Sequence, residues 1–222
     1  MQFTFHGNCG EENLIIHDEI YRYLFKARRH KLEDLIFFRN LRDSFLYKYE
    51  VKDIRKKEAQ LSLVSKEELE ICASKDLHLA WSIVDTKTVE KYITSLNEIG
   101  VDKITFVYAA YSQKNFKPNL EKLNKILINS SQQCGRSSLM KLDTCESLTK
   151  FLELYPNTKV LDFSEKNISS EENISTILIG TEGGFSSDER ALFKKDNILG
   201  LDSSLILRSE TAAISVASKI LL

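Results

Sequence analysis

Two stretches near the C-terminal end combine residue types and spacings suited to holding a ligand. The first, ILIGTEGGFSSDER at 177–190, is an apolar run that stops at Gly180, followed by Thr181-Glu182, Gly183-Gly184 and a helix start. Three glycines within five positions, directly after a strand-like run, allow bare backbone to approach another group closely. Gly183 and Gly184 permit positive φ and leave room for a flat ligand, and Glu182 offers a hydrogen-bond acceptor. Ser186-Ser187-Asp188-Glu189 is a capping-box pattern, which predicts that Ser186 caps a short helix. The second stretch, ILGLDSSLILRSETAA at 198–213, repeats the design. An apolar run reaches Gly200, a polar turn follows at Asp202-Ser203-Ser204, and a short apolar strand leads into Arg208-Ser209-Glu210-Thr211-Ala212. Neighbouring parallel strands would bring both loops to one sheet edge, where α/β proteins bind ligands. Lined by Ile179, Leu201, Leu205, Leu207 and open backbone, such a pocket suits an adenosine-bearing ligand without a triphosphate. Taken alone, the glycine stretch reads equally as a tight turn before a capped helix, and Arg208 with Glu210 as a solvated ion pair.

Other chemistries that use a strand–glycine–helix turn fit poorly. A phosphate loop needs GxxxxGK[ST], and neither the lysine nor the hydroxyl is in register here. A dinucleotide fold places GxGxxG after its first strand, where this chain has DTKT. The GxSxG elbow of serine hydrolases is absent, and none of the four histidines lies near the glycines. Four cysteines (Cys9, Cys72, Cys134, Cys145) are far apart without a CxxC pair, which disfavours disulfides and a zinc site. The net charge of −1 confines any nucleic-acid binding to local patches. No apolar run is long enough to span a membrane, and the N-terminus has no signal-peptide pattern. The simplest expectation is a cytoplasmic protein with reduced thiols.

These loops need a framework, and the 222 residues supply two segments of different character. Residues 1–68 read as a small β-rich domain, with strands at 34–40, 44–51 and 59–64 and a short helix at 19–31. SKEELEICASKD at 65–76 is charged, lacks a strand pattern and is read as the boundary. A second domain, 75–222, alternates strands and helices. Strands are predicted at 77–84, 102–110, 158–163, 175–180 and 204–209, and helices at 87–100, 119–135, 145–155, 188–195 and 211–222, while the helix of the first segment runs into a basic connection within 19–31. Val89, Ile93, Leu96 and Ile99 share one face of the first of these helices, with Gly100 as its C-terminal cap. Repeated βα units imply a mainly parallel sheet covered on both faces.

LIGTEGGFSSDE followed by ILRSETAA strongly resembles the RsmE-type family of ribosomal-RNA uridine-N3 methyltransferases, within the SPOUT superfamily. The family pattern is roughly IGPEGGFS..E, then LG..ILRTETA. Thr181 stands where proline is usual and Ser209 where threonine is usual. Gln133-Cys134-Gly135-Arg136 is similar to the family's Gln-(Ser/Cys)-x-Arg, and Glu98-Ile99-Gly100-Val101 to its Glu-Leu-Gly-Val. There are departures. Thr94-Ser95 replace Gln-Lys, Tyr111 replaces an expected arginine, and Met140 stands in place of a proline.

The resemblance implies an α/β, SPOUT-type parallel sheet with a C-terminal trefoil knot, preceded by a PUA-like β-barrel RNA-binding domain. It implies a metal-free S-adenosylmethionine site at Ile179, Gly180, Glu182, Gly183, Gly184, Leu199, Gly200, Leu201, Leu205, Leu207, Glu210, Thr211 and Ala212. It also implies a homodimer acting on small-subunit ribosomal RNA, within the assembled subunit, with no membrane partner. The basic run Lys26-Ala27-Arg28-Arg29-His30-Lys31, preceded by Tyr21, Tyr23 and Phe25, joins charges for phosphates to aromatics for unpaired bases. Arg55-Lys56-Lys57 is a second basic cluster. Arg28, Arg29, Lys31, Gln133 and Arg136 are the RNA-binding candidates. Arg136 and Arg208 are the catalytic candidates, orienting RNA or stabilising negative charge on the base. The alternative reading is a non-catalytic RNA-binding or ribosome-assembly factor that keeps the fold.

Overall fold

The computed structural model describes residues 2–113, 115–168 and 173–222. The chain forms two compact units, Met1–Cys72 with Ser131–Leu139, and Ala73–Ser130 with Met140–Leu222.

The first unit contains β1 (Thr4–Phe5), β2 (Asn13–His17), α1 (Asp18–Tyr21) continued by a π-helical stretch over Arg22–Ala27, β3 (Leu35–Arg39), β4 (Phe45–Ile54) and β5 (Glu58–Glu68). Its five strands run in the order β1-β3-β4-β5-β2, with β1 parallel to β3 and the other pairs antiparallel. In β2 the period-two pattern is plain, with Leu14 and Ile16 buried and their neighbours exposed. Register shifts at Lys48/Tyr49 and Val51/Asp53 interrupt the β4–β5 ladder, and such irregularities bend a strand pair. Phe38 and Tyr49 meet edge to face at 5.6 Å in the core.

Two features of this unit depart from the sequence reading, the added strands and the length of β5. The short strands β1 and β2 are additions to it. The helical stretch ends at Ala27, and the basic connection expected after the short helix follows it. Residues Ser65–Glu68, read as a charged connection, continue β5 and pair with Phe45–Lys48. They bury no side chain, so only the backbone ladder holds them, and a hydrophobic pattern cannot report that. The segment 131–139 groups with this unit for local reasons. Phe5 N donates to Gln132 Oε1 at 2.7 Å, and Ser137 N donates to the Ile71 carbonyl at 2.9 Å.

The second unit follows the expected βα alternation, with β6 (His78–Ser82), α2 (Thr86–Ile99), β7 (Lys103–Val107), α3 (Leu120–Cys134), β8 (Lys141–Cys145), α4 (Leu148–Leu154), β9 (Lys159–Leu161), β10 (Thr176–Ile179), α5 (Ser187–Ala191), β11 (Ile198–Leu199) and α6 (Ser209–Leu221). Its six-stranded sheet is parallel throughout, in the order β11-β9-β10-β6-β7-β8. Helix α2 starts at Asp85, whose side chain accepts from Lys87 N and Thr88 N, and it ends at Gly100.

Two strand assignments change. The helix expected over 145–155 is preceded by β8, a polar edge strand whose Lys141, Asp143 and Thr144 are exposed. The strand expected at 204–209 is irregular, and the ladder position belongs to Ile198–Leu199. Leu205 and Ile206 are 75% and 81% exposed, so their hydrophobicity reflects something other than a place in the sheet. Among the described residues no helix is long and apolar enough to cross a membrane.

Candidate functional site

The loops at the C-terminal ends of β9, β10 and β11 enclose a cavity of about 400 Å³, within the range of small-molecule sites. The sequence reading placed the two motif strands side by side. In the structure β9 lies between them, so its following residues Asp162–Ser164 form a third wall. Ile179, Leu201, Leu207 and Ala212 supply apolar lining, while Gly180, Gly183, Gly184 and Gly200 present bare backbone. Glu182 and Leu205 also line the cavity. Leu199 is fully buried in the ladder and does not line it. Glu210 is buried and Thr211 exposed, and neither reaches the cavity lining.

The glycine stretch is a tight turn. Gly184 N donates to the Thr181 carbonyl at 2.9 Å, and Thr181 Oγ1 donates to the Gly184 carbonyl at 3.2 Å. Gly184 has φ 71°, where a side chain is strained. Of the two glycines able to take positive φ, Gly183 does not use that freedom. A Cβ added there would meet the Tyr111 ring, with Cδ2 at 3.4 Å. Gly200 is required for packing, because a Cβ there would overlap the Ser164 carbonyl oxygen and lie 3.2 Å from its carbon. The neighbouring chain is laced to this position. Gly200 N donates to the Lys166 carbonyl at 2.8 Å, and Ile168 N to the Gly200 carbonyl at 2.9 Å.

Polar groups fix the loops from behind. Ser186 Oγ accepts from Glu189 N at 3.2 Å, and Glu189 Oε2 accepts from Ser186 N at 2.9 Å, completing the expected capping box. The other carboxylate oxygen of Glu189 accepts from Ala110 N at 2.7 Å. Ser209 is buried at the start of α6. Its hydroxyl accepts from Trp81 Nε1 at 2.9 Å and donates to the Gly180 carbonyl at 2.5 Å, joining β6, the glycine turn and α6. Arg190 grips Asp162 with both donors, at 2.7 and 3.1 Å, and the carboxylate holds the guanidinium pKa above its ordinary value. Sequence reasoning missed Asp162, Arg190 and Ser209. For Ser209 a signal existed, a hydroxyl residue in a recurring position. For Asp162 none did, since its role depends on β9 lying between β10 and β11. Among the described residues no group of three or more His, Cys, Asp or Glu side chains is placed to hold a metal.

A model of the RNA methyltransferase domain family matches residues 72–221. A ribosomal RNA small subunit methyltransferase E from Helicobacter pylori is 41% identical over 222 residues, covering 98% of each chain. The chain belongs to this RNA methyltransferase family, the RsmE type. A relative of the same name from Aquifex aeolicus is 27% identical and covers 97% of each chain. Among solved structures, a predicted RNA methyltransferase from Thermotoga maritima superposes with a TM-score of 0.73 at 26% identity, covering 98% of this chain and 96% of that one. The Neisseria gonorrhoeae ribosomal RNA small subunit methyltransferase E bound to S-adenosyl methionine gives 0.81 at 16% identity, covering 98% and 95%, a likeness of fold.

The remaining candidates of this RsmE-type chain are spread over both units. Arg208 caps α6 as an exposed residue, next to the cavity-lining Leu207 and Ser209, and makes no ion pair among the described residues. Arg136 belongs to the first unit and is buried, with Nε 3.4 Å from Ser138 Oγ, while Gln133 is exposed at the end of α3. Arg28, Arg29 and Lys31 are exposed. Arg28 donates to the Tyr23 hydroxyl at 3.1 Å and stacks 5.3 Å above its ring centre. Of the three aromatics before the basic run, Tyr21 and Phe25 are core residues and only Tyr23 is exposed. Arg29 and Glu33 take positive φ, 60° and 68°, which fixes the shape of the loop. Arg55 is engaged by Asp53 and Glu58, each at 2.8 Å, so the second basic cluster is partly neutralised.

Proposed function

We propose that the chain is an S-adenosylmethionine-dependent methyltransferase that methylates N3 of a uridine in small-subunit ribosomal RNA. The observation that carries this reading is the backbone-lined cavity, built by the family's two motifs in a chain 41% identical over its length to a relative named as a small-subunit ribosomal RNA methyltransferase. The cavity suits the donor. Its apolar walls and glycine backbone accept a flat adenine, and Glu182, Ser203 and the Asp162–Arg190 pair offer partners to a ribose and a zwitterionic tail. When bound, the donor supplies a methyl group from a sulfonium centre.

The chain's own residues orient and shield. The turn at Thr181–Gly184 shapes one wall, Ser209 ties it to the sheet, and Leu201 and Leu207 exclude water. Uridine N3 lies on the pairing edge, so the base must be unpaired or turned out for the new N–C bond to form. The N3 proton passes to solvent water as that bond forms. Among the described residues no histidine lines the cavity, and rate enhancement rests mainly on positioning, with Arg208 beside the site to stabilise negative charge on the base.

Three further parts belong to this reading. The first unit, with five strands and an exposed basic loop, serves as a PUA-like RNA-binding barrel. The C-terminal segment follows a trefoil-knotted path, supported by the lacing of 166–168 across Gly200. Pulling the chain from both ends to a full, unknotted contour length would refute the knot. The working form is a homodimer, supported by Phe163, Leu205 and Ile206, three exposed apolar side chains on the cavity lining that a second copy would cover. A monomer in sedimentation would refute that. The deciding experiment for the activity incubates the protein and labelled donor with small ribosomal subunits lacking the modification, then maps the product by mass. Donor binding without methyl transfer would point to the non-catalytic RNA-binding factor instead.

A further inference from the structure

Tyr111 is the tip of the turn that follows β7, and the residue is 57% exposed. The turn beneath it is held on every side. Ala109 N donates to Ser112 Oγ at 3.0 Å and Ser112 N to the Ala109 carbonyl at 3.0 Å. Ala110 N donates to the buried Glu189 carboxylate at 2.7 Å, which ties the turn to α5. Ala109 and Ser112 are buried, so the exposed ring stands on a fixed base. The ring covers the side of Gly183 on which a side chain would project, with Cδ2, Cβ and Cγ 3.4–3.6 Å from that point. Gly183 itself lines the cavity. The phenol makes no hydrogen bond among the described residues, so the ring is not placed there to satisfy its hydroxyl. This exposed aromatic stands on a fixed turn, touches the cavity wall and stacks on no other ring among the described residues.

We propose that Tyr111 is the platform on which the methyl-accepting base stacks. This rests on the reading of the chain as an RNA methyltransferase. A pyrimidine removed from its own stack loses its neighbours, and a flat π-face restores one of them. The side chain has few rotatable bonds and its turn is fixed in advance, so little freedom is lost on stacking. The Arg190–Asp162 pair lies beside Gly184, close enough for the Tyr111 phenol to act on the guanidinium charge.

The test measures methyl transfer to unmodified small subunits by wild type, Tyr111→Ala, Tyr111→Phe and Tyr111→Trp, with donor Kd from calorimetry. Tyr111→Ala raises the KM for the subunit roughly 5- to 100-fold, the scale of one lost base–aromatic stack. Donor Kd stays within about twofold, and Phe and Trp remain close to wild type, because each keeps a π-face. An unchanged KM in Tyr111→Ala overturns the proposal. So does a Phe variant as poor as Ala, which would make the hydroxyl the active part. A donor Kd that weakens in step with KM would show that the ring only props the glycine turn. A wild-type protein unable to methylate any subunit RNA would overturn the underlying reading, and this one with it.

Discussion

Replacing Gly200 by alanine tests whether the cavity depends on the packing of two backbones. Gly200 does not take positive φ, so alanine carries no conformational penalty and the effect isolates the steric overlap. The new methyl would overlap the Ser164 carbonyl oxygen, with the Ser164 carbon and nitrogen at 3.2 and 3.3 Å. Backbone cannot swing aside as a long side chain does. The 164–168 segment must move outward, which strains or breaks the Gly200–Lys166 and Ile168–Gly200 bonds of 2.8 and 2.9 Å. Overpacking costs roughly 1–3 kcal/mol, and breaking a backbone hydrogen bond at a covered position about 1–3 more. Glu165, Lys166 and Asn167 face solvent, so the segment has room to yield and the low end of the combined range applies, about 2–3 kcal/mol. For a unit of this size the melting temperature should fall by roughly 5–10 °C. Asp162, Ser164, Gly200 and Leu201 all line the cavity, so donor affinity should fall by at least about tenfold, the effect of a 1.4 kcal/mol loss. Differential scanning calorimetry and titration calorimetry read the two effects. A Gly200→Ala protein with wild-type melting and wild-type donor Kd would refute the reasoning.

Further outcomes follow from the same geometry. Ser209→Ala strips Trp81 Nε1 of its acceptor and Gly180 of a donor, so urea unfolding should show a loss of about 1–3 kcal/mol, while Ser209→Thr keeps the hydroxyl and most of the stability. The His78 ring packs against Phe151 and Tyr155, and burial, with Lys103 beside it, lowers its pKa to about 4, against the opposing pull of Asp143 and Asp102. The unfolded chain therefore binds the extra proton first, and stability should fall as pH drops from about 6.5 to about 4; His78→Phe should remove that part of the slope. Arg28→Ala with Arg29→Ala should weaken RNA binding and reduce the slope of log K against log salt by about 0.7 for each phosphate of single-stranded RNA that is no longer neutralised, leaving donor binding unchanged. An unchanged slope would mean that these arginines are only solvated.

Legibility in the sequence followed the range of the interaction that makes each feature. Helix α2 was readable because its buried face and both caps lie within one short stretch, and Val89, Ile93 and Leu96 are indeed buried. The Ser186–Glu189 box was readable for the same reason. Strand β8 and the end of β5 were not, since each is held by a neighbour's backbone and buries little of its own. The error at 204–209 runs the other way. Leu205, Ile206 and Leu207 look like a strand, but the ladder beside β9 is taken by Ile198–Leu199, and the triplet is left lining the cavity. Arg136 is a candidate by resemblance alone, and the local bonds of its segment, Ser137 to Ile71 and Phe5 to Gln132, join residues far apart in the sequence and could not be read from it.

The residues that shape the cavity are largely not the ones a ligand would touch by side chain. Ser209 and Glu189 spend their polar atoms on Trp81, Gly180, Ser186 and Ala110, and what they fix is the path of glycine-rich backbone. This division bears on Thr181, which stands where the motif it resembles usually has proline. Proline stiffens a turn through its ring, whereas Thr181 reaches a similar end by donating its hydroxyl to the Gly184 carbonyl across the same turn. It also separates the two glycines that sequence alone treats alike. Gly184 is needed for its own conformation, and Gly183 for what stands beside it. A side chain at 183 would press on Tyr111 and not enter the cavity directly, so its cost should fall on the turn that presents that ring.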